Sequence, residues 1–190
     1  MAGELIAQLS PGDFYRETTV GYDDTTFSVV VGQQTMPAAG GTPNGVVRGV
    51  GLNKVLLATL AQEYYQASFI IPANLTMGTG ITIVLHLTDD GKNAADLGTA
   101  VELGITAFNV DGTGFNVNLG ANNGTEETTA ITLSSTSGNV VSGTIAIPIA
   151  QLASAAVGNR VLIRLRRVGT STSDTCPGRP VLIGAYVHNT

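Results

Sequence analysis

Two stretches beyond residue 159 constrain the fold of this chain more than anything else in it. Residues 160–168 read RVLIRLRRV, and residues 179–188 read RPVLIGAYVH. In the first, Val161, Ile163 and Leu165 face one way and Arg160, Arg164 and Arg166 the other. In the second, Val181, Ile183, Ala185 and Val187 share a face. A period of two is the signature of half-buried β-strands. The intervening GTSTSDTCPG is built from residues that turn the chain and stop strands. It is too long for a two-residue hairpin, so the strands are expected to be neighbours that close a sandwich or barrel.

The same alternation recurs upstream. EYYQASFIIP (63–72) places Tyr65, Ala67, Phe69 and Ile71 on one side and ends at a proline. ITIVLHL (81–87) turns Ile81, Ile83, Leu85 and Leu87 inward and stops at Asp89-Asp90-Gly91, which has turn chemistry. Residues 98–110 carry Val101, Leu103 and Ile105 on one face. Strands are also expected at 128–134 and 140–147, with a turn at Ser137-Gly138. Ile149, Leu152, Ala153 and Ala156 are spaced for one short helix, capped by Gly158-Asn159. Short strands are expected at 18–22 and 26–31, and a short FNVNL segment at 115–119. Residues 52–62 (LNKVLLATLAQ) fit either a helix or a strand.

About eight regularly spaced strands and one short helix predict an all-β, jelly-roll-like β-sandwich of antiparallel strands. Residues 32–51 hold six glycines and two prolines, with almost no large side chain before Val46. That stretch is either a long surface loop or an extended arm that orders against a partner. The expected division is therefore an extended N-terminal arm with short strands over 1–54 and a sandwich over 55–190. On this division residues 1–50 can be removed without unfolding the sandwich.

At 190 residues the chain is long enough to bury a sizeable core, and 43% of it is apolar. Only 12% is charged and the net charge is −5, with Lys54 and Lys92 the two lysines. No overall basic footprint exists for nucleic acid. No apolar run approaches the ~20 residues of a membrane helix, so no membrane partner is expected. Residue 4 is a glutamate and no basic leader opens the chain, which argues against a secretory signal. The sequons at Asn74 and Asn123 are then coincidental. Cys176, the one cysteine, rules out an intrachain disulfide.

Catalytic chemistry finds little to work with. His86 and His188 are the two histidines, and Cys176 lacks a spaced partner, so no metal site is expected. The NVDGTGFN run around Asn109 and Asp111 lacks calcium-loop spacing, and Asp89-Asp90 reads as turn chemistry. There is no nucleophile elbow and no phosphate loop. We expect no catalytic residues, no cofactor and no enzyme activity. The candidate interaction residues are arginines, which pair bidentately with carboxylates and are favoured at interfaces. Four of the seven fall within 160–167. Arg164, Arg166 and Arg167 form the core of that candidate, with Arg48 beside them as a fourth. The plainer alternative is a solvated strand face with intrachain pairs to Asp174, Glu102 or Glu63.

The runs EYYQASFIIPANL, GITIVLHLT, GTAVELGI, GTIAIPIAQLASAAVGNRVLIRLRRVGTSTSDTC and PVLIGAYVHN together resemble a group of small β-sandwich proteins encoded by tailed bacteriophages. The resemblance spans residues 62–188. It implies a structural virion protein of the capsid decoration or cement type. Such a protein sits on the capsid exterior as a homotrimer or homodimer and binds the major capsid protein. The alternative is a tail-fibre or receptor-binding β-module that recognises host surface glycans. Aromatic platforms usually carry that role, and here aromatics are 5% with no Trp. Tyr64, Tyr65 and Tyr186 are expected to pack within strands.

Overall fold

The computed structural model describes residues 3–10, 13–17, 33–34, 47–48, 50–51, 64–73, 78–91, 93–112, 124–152 and 155–190. Its strands, in chain order, are β1 (Leu5–Leu9), β2 (Tyr15–Glu17), β3 (Gln33–Gln34), β4 (Val47–Arg48), β5 (Val50–Gly51) and β6 (Tyr64–Ile70). They continue with β7 (Gly80–Thr88), β8 (Ala100–Asn109), β9 (Glu127–Thr132), β10 (Val141–Pro148), β11 (Arg160–Arg167) and β12 (Val181–Asn189). Eight of these are five residues or longer. Every pairing is antiparallel. One sheet runs β1-β12-β7-β10, with β5 also against β12, and the other runs β2-β6-β11-β8-β9. The molecule is the expected all-β, jelly-roll-like sandwich.

The alternation read from the sequence explains the core. Ile81, Ile83, Leu85 and Leu87 of β7 are fully buried. They meet Val161, Ile163 and Leu165 of β11, Val101, Leu103 and Ile105 of β8, and Tyr65, Ala67 and Phe69 of β6 in one apolar cluster. Each buried Val, Leu, Ile or Phe among them contributes roughly 1.5–3 kcal/mol by leaving water.

β12 departs from the simple pattern. Its register against β7 shifts between Leu182 and Gly184. A bulge inserts one residue and reverses which side chains face inward. Leu182, Ala185 and Val187 therefore join the core, whereas Ile183 does not share their face and is only half-buried.

The expected boundary at residue 54 does not divide the sheets. β1 pairs with β12, β2 with β6 and β5 with β12. Ile6, Leu9 and Phe14 are buried in the common core. The segment 1–54 thus supplies sheet strands and core residues as well as whatever it presents outward. The cause is plain in ELIAQL, whose apolar Ile6 and Leu9 have a sheet edge within reach. The strands expected at 18–22 and 26–31, the ambiguous 52–62 and the FNVNL segment lie outside the described residues.

The expected helix at 149–156 is a single 3-10 turn, Ile149–Leu152. Beyond it, Gly158 N donates to Ile71 O, and Ile71 N donates to Asn159 O. Pairing with the end of β6 draws this segment out of a helical course, and Gly158 turns it at φ 82°. Of the expected apolar face, Leu152 is buried and Ile149 half-buried, but Ala156 is exposed and Ala155 is buried in its place.

Candidate functional site

The outer face of the β2-β6-β11-β8-β9 sheet carries two of the candidate arginines, Arg164 and Arg166. Arg164 lies opposite Gln66 on one side and Thr106 on the other. Arg166 lies opposite Tyr64 and Gly104. The Arg164 guanidinium stacks 3.5 Å from the centre of the Tyr64 ring, a cation–π arrangement. Arg166 grips Glu126 with both branches of its fork: Nε donates to Oε1 at 2.5 Å and Nη2 to Oε2 at 2.6 Å. That hydrogen-bonded carboxylate raises the Arg166 pKa. Gly104 makes room for the pair, because a Cβ there would stand 2.5 Å from Glu126 Cδ.

Arg167 falls on the opposite side of the strand and is 4% exposed. Its Nε and Nη2 donate to Asp174 Oδ2 and Oδ1, each at 2.7 Å. Nη1 donates to Gly178 O at 2.5 Å and Nη2 also donates to Cys176 O. Arg167 is therefore an internal clamp on the β11–β12 connection and not part of an outward patch. Its charge is neutralised by Asp174, one of the intrachain partners the sequence suggested. Arg48 pairs with Gln33 in the separate β3–β4 ribbon. The four candidate arginines thus divide three ways: Arg164 and Arg166 together on one face, Arg167 inside, Arg48 in another sheet.

The other sheet presents a different surface. Ser142 and Gly184 flank His86 in register, and Val84 and Gln8 flank Tyr186. His86 Nδ1 lies 2.9 Å from Ser142 Oγ. Its ring stands edge-on to Tyr186, with centroids 5.1 Å apart and planes at 86°. Its Nε2 is buried and finds no hydrogen-bond partner among the described residues. The β12 bulge opens a cleft of ≈330 Å³ here, lined by Gln8, Leu9, Ser10, His86, Val140, Ile183, Gly184, Ala185 and Tyr186. The sequence reading assigned Tyr186 to packing and overlooked this cleft. A signal was present: an isolated glycine inside a strand pattern, Gly184, marks a bulge or a close backbone approach.

The acidic candidates serve the backbone. Asp89 Oδ2 accepts from Ser137 Oγ at 2.6 Å and from Gly91 N at 2.9 Å, and its Oδ1 accepts from Gly138 N at 2.6 Å. Burial pushes the Asp89 pKa up, but these three hydrogen bonds outweigh it and leave the net value lowered. Asp111 Oδ2 accepts from Arg160 N at 2.6 Å, and Asn109 Oδ1 accepts from Asp111 N at 3.2 Å. These are turn and loop contacts of the kind Asx residues make. Asp96 is buried, with Oδ1 accepting from Gly178 N at 2.8 Å, and burial raises its pKa. Burial likewise raises that of the Cys176 thiol. Among the described residues, no three His, Cys, Asp or Glu side chains group as a metal site would require.

No protein-family model and no curated protein matches the chain. Two solved structures align along nearly its whole length. One is a xylan-binding module, CBM15, with a TM-score of 0.47 and 12% identity, covering 99% of this chain and 98% of that one. The other is a CBM22-1 xylan-binding domain from Paenibacillus barcinonensis, with a TM-score of 0.41 and 10% identity, covering 98% and 95%. Likenesses of this size carry no argument about what this chain binds.

Proposed function

We propose that this chain is a structural virion protein that binds the outer surface of a tailed-phage head and braces the major-capsid lattice. The observation that carries the reading is where the phage-like runs lie. EYYQASFIIP supplies β6, GITIVLHLT β7, RVLIRLRR β11 and VLIGAYVHN β12. β6 pairs with β11 in one sheet and β7 with β12 in the other, so the resemblance rests on the paired centre of the sandwich. Binding on this reading uses the sheet face of Arg164 and Arg166. A guanidinium held flat on a tyrosine ring is pre-ordered to receive a carboxylate of a neighbouring subunit. Many copies on one lattice turn modest single contacts into firm attachment.

The test is the protein's copy number in purified particles, by quantitative mass spectrometry against the major capsid protein. Stoichiometry comparable to the shell protein is the expected result. A few copies per particle would move the protein to the tail and to receptor recognition. Its absence from particles would overturn the virion reading altogether.

A further inference from the structure

We propose that the cleft beside Tyr186 and His86 is a binding site for an uncharged sugar ring. The inference stands on the cleft alone and does not depend on where the protein sits in a particle. Three features define the ligand.

The described lining carries no Asp, Glu, Lys or Arg. An ionic ligand would lose its hydration there with no opposite charge in return. The lining is also mixed. Val140 and Ile183 are apolar, and Val140 is 53% exposed, whereas Leu9 and Ala185 border the cleft with their side chains buried in the core. Gln8 and Tyr186 offer amide and phenol groups beside the His86 ring. A purely apolar ligand would leave those polar groups unpaired, which binding sites penalise. A pyranose carries apolar C–H faces and a rim of hydroxyls, and so answers both halves of the lining.

The third feature is His86. Its Nδ1 is engaged with Ser142, while Nε2 is buried and has no partner among the described residues. Whether Nε2 donates or accepts depends on the tautomer. A sugar hydroxyl does both, and on binding satisfies Nε2 in either state once a side-chain shift opens that buried atom to the cleft. An extended peptide is disfavoured, because the backbones that border the cleft, β1 and β12, already pair with each other.

The experiment is affinity electrophoresis followed by calorimetry on the whole chain. The probes are neutral oligosaccharides of glucose, galactose, mannose and xylose, with sialylated and sulfated oligosaccharides beside them. Saturable binding to at least one neutral probe is expected, with no gain from charge. Tyr186→Ala should weaken it by about tenfold or more, ~1.4 kcal/mol, and His86→Ala should weaken it in the same assay. If Tyr186→Ala fails to fold, Gln8→Trp replaces it: position 8 is exposed on β1, and an indole there fills the cleft and abolishes binding. Failure of every neutral probe to bind would overturn the proposal. So would a preference for the charged probes, or undiminished binding by folded cleft variants.

Discussion

Arg167 and Arg166 are adjacent, yet one residue of pleat separates an internal clamp from an outward grip. The Arg167–Asp174 pair has side-chain exposures of 1% and 0%. Removing one member leaves the other charged, buried and unpaired, at a cost of about 3–5 kcal/mol. Arg167→Ala should show that loss in urea denaturation. Arg167→Lys should recover little, because a point charge cannot replace a fork that reaches Asp174, Gly178 and Cys176 together. Two carboxyls should respond to acid in opposite senses. Asp89 has a folded pKa below its ordinary value of 3.8, so it stabilises above that value and loses its contribution as pH falls through the lowered one. Asp89→Asn should therefore cost about 1–3 kcal/mol at pH 7, a difference that narrows in strong acid. Asp96 is raised, so its favourable share is complete below 3.8 and disappears as pH rises through its folded value. Asp96→Asn should keep its stability over that rise where the parent declines. Denaturation curves for both variants across pH check the two signs.

At the scale of elements, β1 decides whether the first residues are an appendage or a wall of the sandwich. Deleting residues 1–14 removes Ile6, Leu9 and Phe14 from the core. At roughly 1.5–3 kcal/mol for each buried side chain, the truncated chain should lose most of its stability or fail to fold. Unchanged stability would show that β1 only leans on β12. The long strands were legible because each is half-buried, and half-burial writes a period of two into the sequence. That is why β7 and β11 could be read residue by residue. β1 was obscured because five residues make a weak periodic signal and its partner, β12, lies beyond residue 180. One arginine partner was obscured for the same reason of distance. Asp174 is seven residues from Arg167, but Glu126 is forty from Arg166. Ile183 was placed inward because alternation cannot be carried through a bulge. Gly184 is where β1 comes close: a Cβ there would stand 2.8 Å from Leu9 O. Gly184→Val should loosen β1, seen as faster amide hydrogen exchange in residues 5–9, and obstruct the cleft in the same step.

At the scale of the whole molecule, the two sheets offer the surroundings unlike surfaces, one with stacked and paired arginines, one hollowed by a cleft whose described lining carries no Asp, Glu, Lys or Arg. The virion reading uses the first. Arg164 lies over the Tyr64 ring on the outer face, and Arg164→Ala should change folding stability by about 1 kcal/mol. Its occupancy on purified particles should fall measurably, and equal occupancy would remove that face from the contact. The order of strands has a further consequence for how the protein is made. β12 sits between β1 and β7, and Leu5 meets His188 across the sheet. While the nascent chain is still short of residue 181, β1 and β7 have backbone groups waiting for a strand that has not been translated. Such distant pairings form slowly, and open edges are sticky in the interval. A transcript cut short before β12 should therefore yield aggregate and no smaller working sandwich.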